Sequence, residues 1–127
     1  QQGGGKIVNT SSVRGFSGHP DGYTAYAASK AAVDSLTKQL STEWSIKGAE
    51  AGFQINVNAI APTLIKSPLT AEICDDPKRI APFLSRLPMG RVAETNDMVG
   101  LVLFLSSPAS NFINGQIIYV DGGCTAG

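Results

Sequence analysis

Three apolar runs constrain this chain most: KIVNT at 6–10, FQINVNAIAP at 53–62 and GQIIYV at 115–120. Each is short, rich in Ile and Val, and bounded by polar or turn-forming residues, which predicts a strand. The stretches between them are far longer than a hairpin requires, and each contains a helical pattern. Antiparallel neighbours can be joined by two residues, whereas parallel neighbours need a crossover of a dozen or more. Strand, helix, strand, helix, strand therefore predicts an α/β architecture, a doubly wound, Rossmann-like parallel sheet of three strands with crossover helices. Such sheets bind ligands beyond the carboxyl ends of their strands, which puts residues 10–12 and 62–67 on one rim.

TAYAASKAAVDSLTKQLSTEWSIK, residues 24–47, is built from Ala, Leu, Lys and Glu, and Ala32, Leu36, Leu40 and Trp44 recur at every fourth position. This predicts a long helix with one buried stripe, stopped at Gly48. In the second strand Phe53, Ile55, Val57 and Ala59 alternate with Gln54, Asn56, Asn58 and Ile60, and Pro62 ends the run. Thr95 is placed to cap a helix through NDMVGLVLFLSS, which Pro108 terminates. Gly, Pro and Asp make VRGFSGHPDG a connection. Between Thr63 and Arg91, Pro68, Pro77, Pro82 and Pro88 interrupt short helical stretches. That length predicts a mobile lid or binding loop.

With 127 residues, 43% of them hydrophobic and 16% charged, the chain has material for one globular domain. Ten basic residues balance ten acidic ones without a basic run, which argues against nucleic acid or an anionic membrane as partner. Apolar runs such as LVLFL at 101–105 fall well short of the ~20 residues that cross a bilayer. Cys74 and Cys124 lie far apart and away from other metal-ligating residues, so neither a disulfide framework nor a metal site is expected. Two free thiols fit a cytoplasmic setting. The chain begins QQGGGKIV, without Met, and enters a strand within a few residues, which suggests the downstream part of something longer.

YAASK, residues 26–30, sets a phenol and an amine four residues apart. On a helix Tyr26 and Lys30 share one face, separated by roughly 6 Å of rise. A free phenol titrates near pH ~10, and a neighbouring ammonium favours the phenolate, making tyrosine a usable proton donor or acceptor. Ser12 lies just past the first strand, and the thirteen residues between it and Tyr26 are enough to bring its hydroxyl beside the phenol. There it would polarise a substrate oxygen. On spacing alone, a packed ring beside a solvated amine is the commoner outcome.

IVNTSSVRG, YAASK, VNAIAPTLIKSP and YVDGG resemble, in order and spacing, successive motifs of the short-chain dehydrogenase/reductase family, and they cover nearly the whole chain. The resemblance implies an oxidoreductase that interconverts a small-molecule secondary alcohol and ketone by hydride transfer, with NAD or NADP as cofactor. It assigns Tyr26 the role of general acid/base and Ser12 that of orienting the substrate oxygen. Lys30 would tune the tyrosine and hold the nicotinamide ribose hydroxyls. Pro62, Thr63, Leu64 and Ile65 resemble the segment that meets the carboxamide, and Ser67 takes the place of a phosphate-contacting hydroxyl. The cofactor contacts so implied are Tyr26, Lys30, Pro62, Thr63, Ile65 and Ser67. In that family the long helix commonly pairs with its copy, which implies a homodimer or homotetramer.

Departures from the family pattern also carry information. Thr63 stands where glycine is commoner, and a β-branched residue resists the backbone angles that glycine permits. The family's glycine-rich pyrophosphate turn, the residue that separates NAD from NADP, and the helix asparagine of its proton relay have no counterpart here. Residues 1–127 thus read as the C-terminal half of one dinucleotide-binding domain. A catalytically silent fragment or assembly module is the alternative, and epimerisation or dehydration by the same tyrosine and lysine is a third. Substrate identity rests on residues 64–91, whose apolar side chains point to a partly greasy pocket. His19 reads as a solvated loop side chain and Arg14 as an exposed loop charge. Leu40 and Trp44 read as core or subunit packing, and Cys124 as an inert thiol.

Overall fold

The three apolar runs pair side by side in a computed structural model that describes residues 3–126. Strands β1 (Gly4–Thr10), β2 (Gln54–Pro62) and β3 (Ile117–Val120) form one parallel sheet in the order β1-β2-β3. Val8 lies opposite Asn58, Thr10 opposite Ile60, and Ile60 opposite Ile118, so the carboxyl ends of all three strands lie at one rim. Among the described residues the α-helices are α1 (Thr24–Ala51), α2 (Ala71–Cys74), α3 (Pro77–Leu84) and α4 (Asn96–Ser106). The arrangement is Rossmann-like, with α1 crossing from β1 to β2 and α4 lying on the way from β2 to β3. Among the described residues no helix is long and apolar enough to cross a membrane.

One sheet face packs on α4. Ile60, Met98 and Leu105 are buried together, with Val8, Leu101, Val102 and Ile118 packed around them. The other face carries the fully buried Val57, Ala59 and Ala61 and lies under α1. The α1 residues buried there are Thr37, Ser41 and Gly48, not the stripe expected from apolar spacing. Leu36 is 51% exposed and Ala32 is exposed, while Leu40 and Trp44 are only partly buried. Small residues let the helix approach the sheet closely. Their polarity is absorbed locally, because the Thr37 hydroxyl donates to the Val33 carbonyl at 2.8 Å and Ser41 to that of Lys38 at 2.7 Å. Asn9 Nδ2 then donates to Thr37 Oγ1 at 2.9 Å, tying β1 to the helix.

Gly48 does not stop α1. The helix continues to Ala51, and Gly52 ends it in the left-handed region at φ 77°. Gly48 serves close packing instead, since a Cβ there would lie 2.6 Å from the Phe53 carbonyl oxygen. The alternation expected in β2 is also replaced by burial on both faces from Asn56 onward. Asn56 and Asn58 stay inside because they are satisfied: Asn56 Nδ2 donates to the Asn111 and Ile113 carbonyls, Asn58 Nδ2 donates to Ile113, and Asn58 Oδ1 accepts from the Gln116 amide. They pin the loop that leads into β3.

Thr95 makes no side-chain cap bond at the start of α4. Asp97 in the first turn instead fastens the segment before the helix, accepting the Glu94 amide at 2.8 Å and both arms of the Arg91 guanidinium at 2.7 and 2.9 Å. The Arg91 hydrogen bonds first, and the Glu94 amide next, hold the Asp97 carboxyl down at about 2. Residues 64–91 fold over the rim as α2 and α3, the latter opened by Asp76, whose carboxylate accepts the Lys78 amide at 2.8 Å ahead of Pro77.

Candidate active site

The end of β1 delivers the first wall of the site. The Ser11 amide donates to the Ile60 carbonyl at 2.8 Å, carrying the ladder one residue past Thr10. Ser12, buried, then turns the chain into a single 3-10 turn over Val13–Gly15, its extended backbone leaving the side chain free to cap it. Ser12 Oγ accepts the Arg14 amide at 3.2 Å and reaches the Pro62 carbonyl at 3.5 Å, the outer limit of a hydrogen bond. Gly15 lets this turn press on α1: a Cβ there would lie 3.1 Å from the Lys30 backbone carbon.

Tyr26 and Lys30 occupy the first turns of α1, over the end of β1. Lys30 Nζ donates to the Thr10 carbonyl at 2.9 Å and lies 5.6 Å from the centroid of the Tyr26 ring, so the amine and the phenol face the same side. Tyr26 is 44% exposed and Lys30 partly buried.

The second wall follows Pro62. Ile65 forms an isolated parallel bridge with Ala93, in which the Ala93 amide donates to Leu64 and the Lys66 amide donates to Ala93. This pattern uses the groups flanking Ile65 and leaves its own N–H and C=O facing away from Ala93. The Ile65 carbonyl accepts the Thr70 hydroxyl at 2.6 Å. Ser67 caps the short turn Pro68–Thr70, with its amide 3.0 Å from Thr70 Oγ1 and the two hydroxyls 3.1 Å apart. Thr63 adopts ordinary backbone angles, since no described non-glycine residue has a positive φ.

Between the walls lies a cavity of ≈ 440 Å³ at the carboxyl ends of the strands. Ser12, Tyr26 and Lys30 line one side, and Pro62, Thr63, Ile65 and Ser67 the other, so all seven residues singled out in the sequence face one space. Tyr23, Leu69, Ile73 and Phe83 add apolar surface to its lining. No group of His, Cys, Asp or Glu side chains suited to a metal ion occurs among the described residues.

Two side chains depart from the sequence reading. Arg14 is 8% exposed and lines the cavity, with Nη1 donating to Ser17 Oγ at 3.3 Å and to the Gly18 carbonyl at 2.9 Å. Burial first, and then the Arg86 cation, lower its pKa from the ordinary guanidinium value. No local sequence signal separates Arg14 from an exposed loop charge, because its burial comes from the 3-10 turn that Ser12 caps and Gly15 presses on α1. His19 is not solvated either. Its side chain is 2% exposed, stacked on Phe83 at 5.4 Å and edge-on to Tyr23 at 5.1 Å, which in turn meets Tyr26 at 6.0 Å. Nδ1 accepts the Asp21 amide at 3.3 Å, as a neutral imidazole does.

Burial, then the Arg14 cation, lowers the His19 pKa, against the pull of Asp21. A depressed histidine binds its proton more weakly folded than unfolded. Its contribution to stability is therefore whole above about pH 6.5 and is lost as pH falls below that value toward the folded pKa. The melting temperature of the protein should drop between pH 7.5 and 5 by more than that of His19→Phe. Equal drops would place the titration elsewhere.

A family model described as enoyl-(acyl carrier protein) reductase matches residues 1–125. An uncharacterised oxidoreductase of Mycobacterium tuberculosis is 47% identical over 127 residues, covering 97% of this chain and 45% of that protein. The 2-dehydro-3-deoxy-D-gluconate 5-dehydrogenase of Bacillus subtilis is 44% identical over 123 residues, covering 97% of this chain and 46% of the enzyme. The crystal structure of a gluconate 5-dehydrogenase from Burkholderia cenocepacia, in complex with NADP and tartrate, matches with a TM-score of 0.87 at 36% identity, over 99% of this chain and 47% of that one. The chain thus spans about half the length of the relatives it matches.

Proposed function

This chain belongs to the short-chain dehydrogenase/reductase family, and on that premise we propose that it carries the acid/base half of an NAD(P)-dependent oxidoreductase that interconverts a secondary alcohol and a ketone. The observation that supports this most is the single cavity shared by Tyr26, Lys30 and Ser12 on one wall and the Pro62–Ser67 segment on the other. The residues fit the nicotinamide riboside end of the cofactor. Lys30 uses one of its three N–H donors on Thr10 and keeps two for neighbouring ribose hydroxyls. The Ile65 amide, turned away from Ala93, is a donor suited to a carboxamide oxygen, and Ser67 adds a hydroxyl beside it. When bound, the nicotinamide supplies or accepts the hydride at the substrate's carbinol carbon.

The chain's own groups handle the proton and the substrate oxygen. The Tyr26 hydroxyl gives its proton to that oxygen as a ketone is reduced and takes it back as an alcohol is oxidised. The Lys30 ammonium, one helical turn along, stabilises the phenolate left behind. Ser12 turns its proton from the 3.5 Å contact with Pro62 to the substrate oxygen, while the Arg14 amide keeps the Ser12 oxygen fixed.

In this reading residues 1–127 are the C-terminal half of one dinucleotide-binding domain, and the glycine-rich pyrophosphate turn belongs to the part of its relatives that the chain does not span. Copies would associate as a homodimer or homotetramer through α1, whose Leu36 and Ile46 are 51% and 57% exposed. The two free thiols suit the cytoplasm. Those same exposed residues favour the second reading, a silent assembly module. Fluorescence titration of NADH and NADPH into the complete protein separates the two. Saturable binding is expected, with little or none by the 127-residue chain alone. No binding by the complete protein would discard the oxidoreductase reading.

A further inference from the structure

Arg14 is a largely buried cation, 8% exposed, that no carboxylate among the described residues pairs, and its unbonded nitrogens reach only the water of the cavity. Burial of a cation is costly unless an anion or a full set of acceptors compensates. Among the described residues only Nη1 is engaged, by Ser17 Oγ and the Gly18 carbonyl, and both acceptors are uncharged. The ion pairs formed among the described residues are Lys66–Asp75, Arg79–Glu72 and Arg91–Asp97, and neutral His19 lies beside Asp21, so no pair includes Arg14. The Arg86 cation acts on it as well, adding repulsion rather than neutralisation. A guanidinium has five N–H donors in a planar fork, which leaves Nε and Nη2 for a partner of matching geometry. Arg14 lines the same cavity as Ser12 and Tyr26, two residues from the hydroxyl that would hold the reacting oxygen.

We propose that Arg14 is a specificity-determining residue that binds a carboxylate of the substrate, so that the site takes hydroxy acids and the matching keto acids in preference to neutral alcohols and ketones. The inference deepens the proposed function and rests on it for the reaction, though not for the binding. It rests on a largely buried cation without a carboxylate partner among the described residues, a fork whose Nε and Nη2 are unbonded, and a cavity shared with the acid/base pair. A planar carboxylate accepts two parallel N–H bonds from such a fork, and pairing it inside a partly apolar cavity restores neutrality. The apolar surface of Leu69, Ile73 and Phe83 accommodates the carbon chain rather than a second charge. Arg14→Lys would keep the charge and lose the fork, so lysine is expected to substitute poorly.

The test uses the complete protein and two readouts. In the first, binding of hexanoate and of its neutral counterpart hexanamide is measured by calorimetry, which requires no turnover. Hexanoate should bind at least tenfold more tightly than hexanamide, and Arg14→Gln and Arg14→Lys should both erase most of that difference. In the second, kcat/KM is compared for a hydroxy acid and for its methyl ester. The acid-to-ester ratio should fall by roughly 30-fold or more in Arg14→Lys, mainly through KM. Equal affinity of the wild-type protein for hexanoate and hexanamide would overturn the proposal, as would equal losses on acid and ester. Should Arg14→Gln fail to fold, the wild-type preference and Arg14→Lys still decide. Failure of the proposed function looks different: no alcohol is oxidised at all, whereas failure of this inference leaves the ester turned over as well as the acid.

Discussion

Replacing Tyr26 by phenylalanine in the complete protein should lower kcat by about 10³-fold and leave the affinity for the nicotinamide cofactor within a few-fold of wild type. The substitution removes one oxygen and leaves the ring, so the edge-on contact with Tyr23 at 6.0 Å and the ammonium 5.6 Å from the centroid both survive. Only the proton is lost. A positioned general acid or base contributes typically ~10²–10⁴ in rate, and a 10³-fold loss corresponds to about 4 kcal/mol of transition-state stabilisation. Stopped-flow measurement of hydride transfer with saturating cofactor, beside an equilibrium titration, reads both halves of the expectation. A fall in affinity with kcat preserved would make Tyr26 a binding residue.

Lys30→Met has the second largest expected effect, and a different signature. Methionine keeps the apolar stem of the side chain on α1 and removes the ammonium. Three things go with it: the hydrogen bond to the Thr10 carbonyl at 2.9 Å, the cation beside the phenol, and two donors facing the cavity. Hydrogen bonds from a charged donor are worth ~1.5–3 kcal/mol, or about ten- to a hundredfold each. Cofactor affinity should therefore fall by about tenfold or more and kcat by about 10²-fold, so that both parameters move where Tyr26→Phe moves one. Thermal melting should show only a small loss, because the Thr10 carbonyl lies at an open rim where water replaces the amine. A variant that lost cofactor affinity alone would confine Lys30 to the ribose.

The contrast between what the sequence revealed and what it hid follows from the physics of each element. Parallel strands with long crossovers permit few topologies, so the order of elements, the common rim and the meeting of Ser12, Tyr26 and Lys30 with Pro62, Thr63, Ile65 and Ser67 could all be anticipated. The face of α1 could not. Apolar spacing picked Ala32, Leu36, Leu40 and Trp44, but the sheet already offers Val57, Ala59 and Ala61, and close approach selects the small Thr37, Ser41 and Gly48. Polar residues misled for a related reason. Asn56, Asn58 and His19 look solvated by type, yet each is buried once a backbone carbonyl, a loop amide or two aromatic rings meet it. Those partners are distant in sequence, or in a loop without periodicity. Arg14 belongs to the same class, except that the partners it meets among the described residues are uncharged.

The central claim is that Tyr26 and Lys30 act as one unit on one proton, and a double-mutant cycle on kcat at saturating cofactor tests it most directly. With the phenolic oxygen gone there is no anion for the ammonium to stabilise. Adding Lys30→Met to Tyr26→Phe should therefore slow the chemical step by no more than about threefold beyond Tyr26→Phe alone. Losses that multiply, with the double variant slowed by the product of the two single effects, would contradict it.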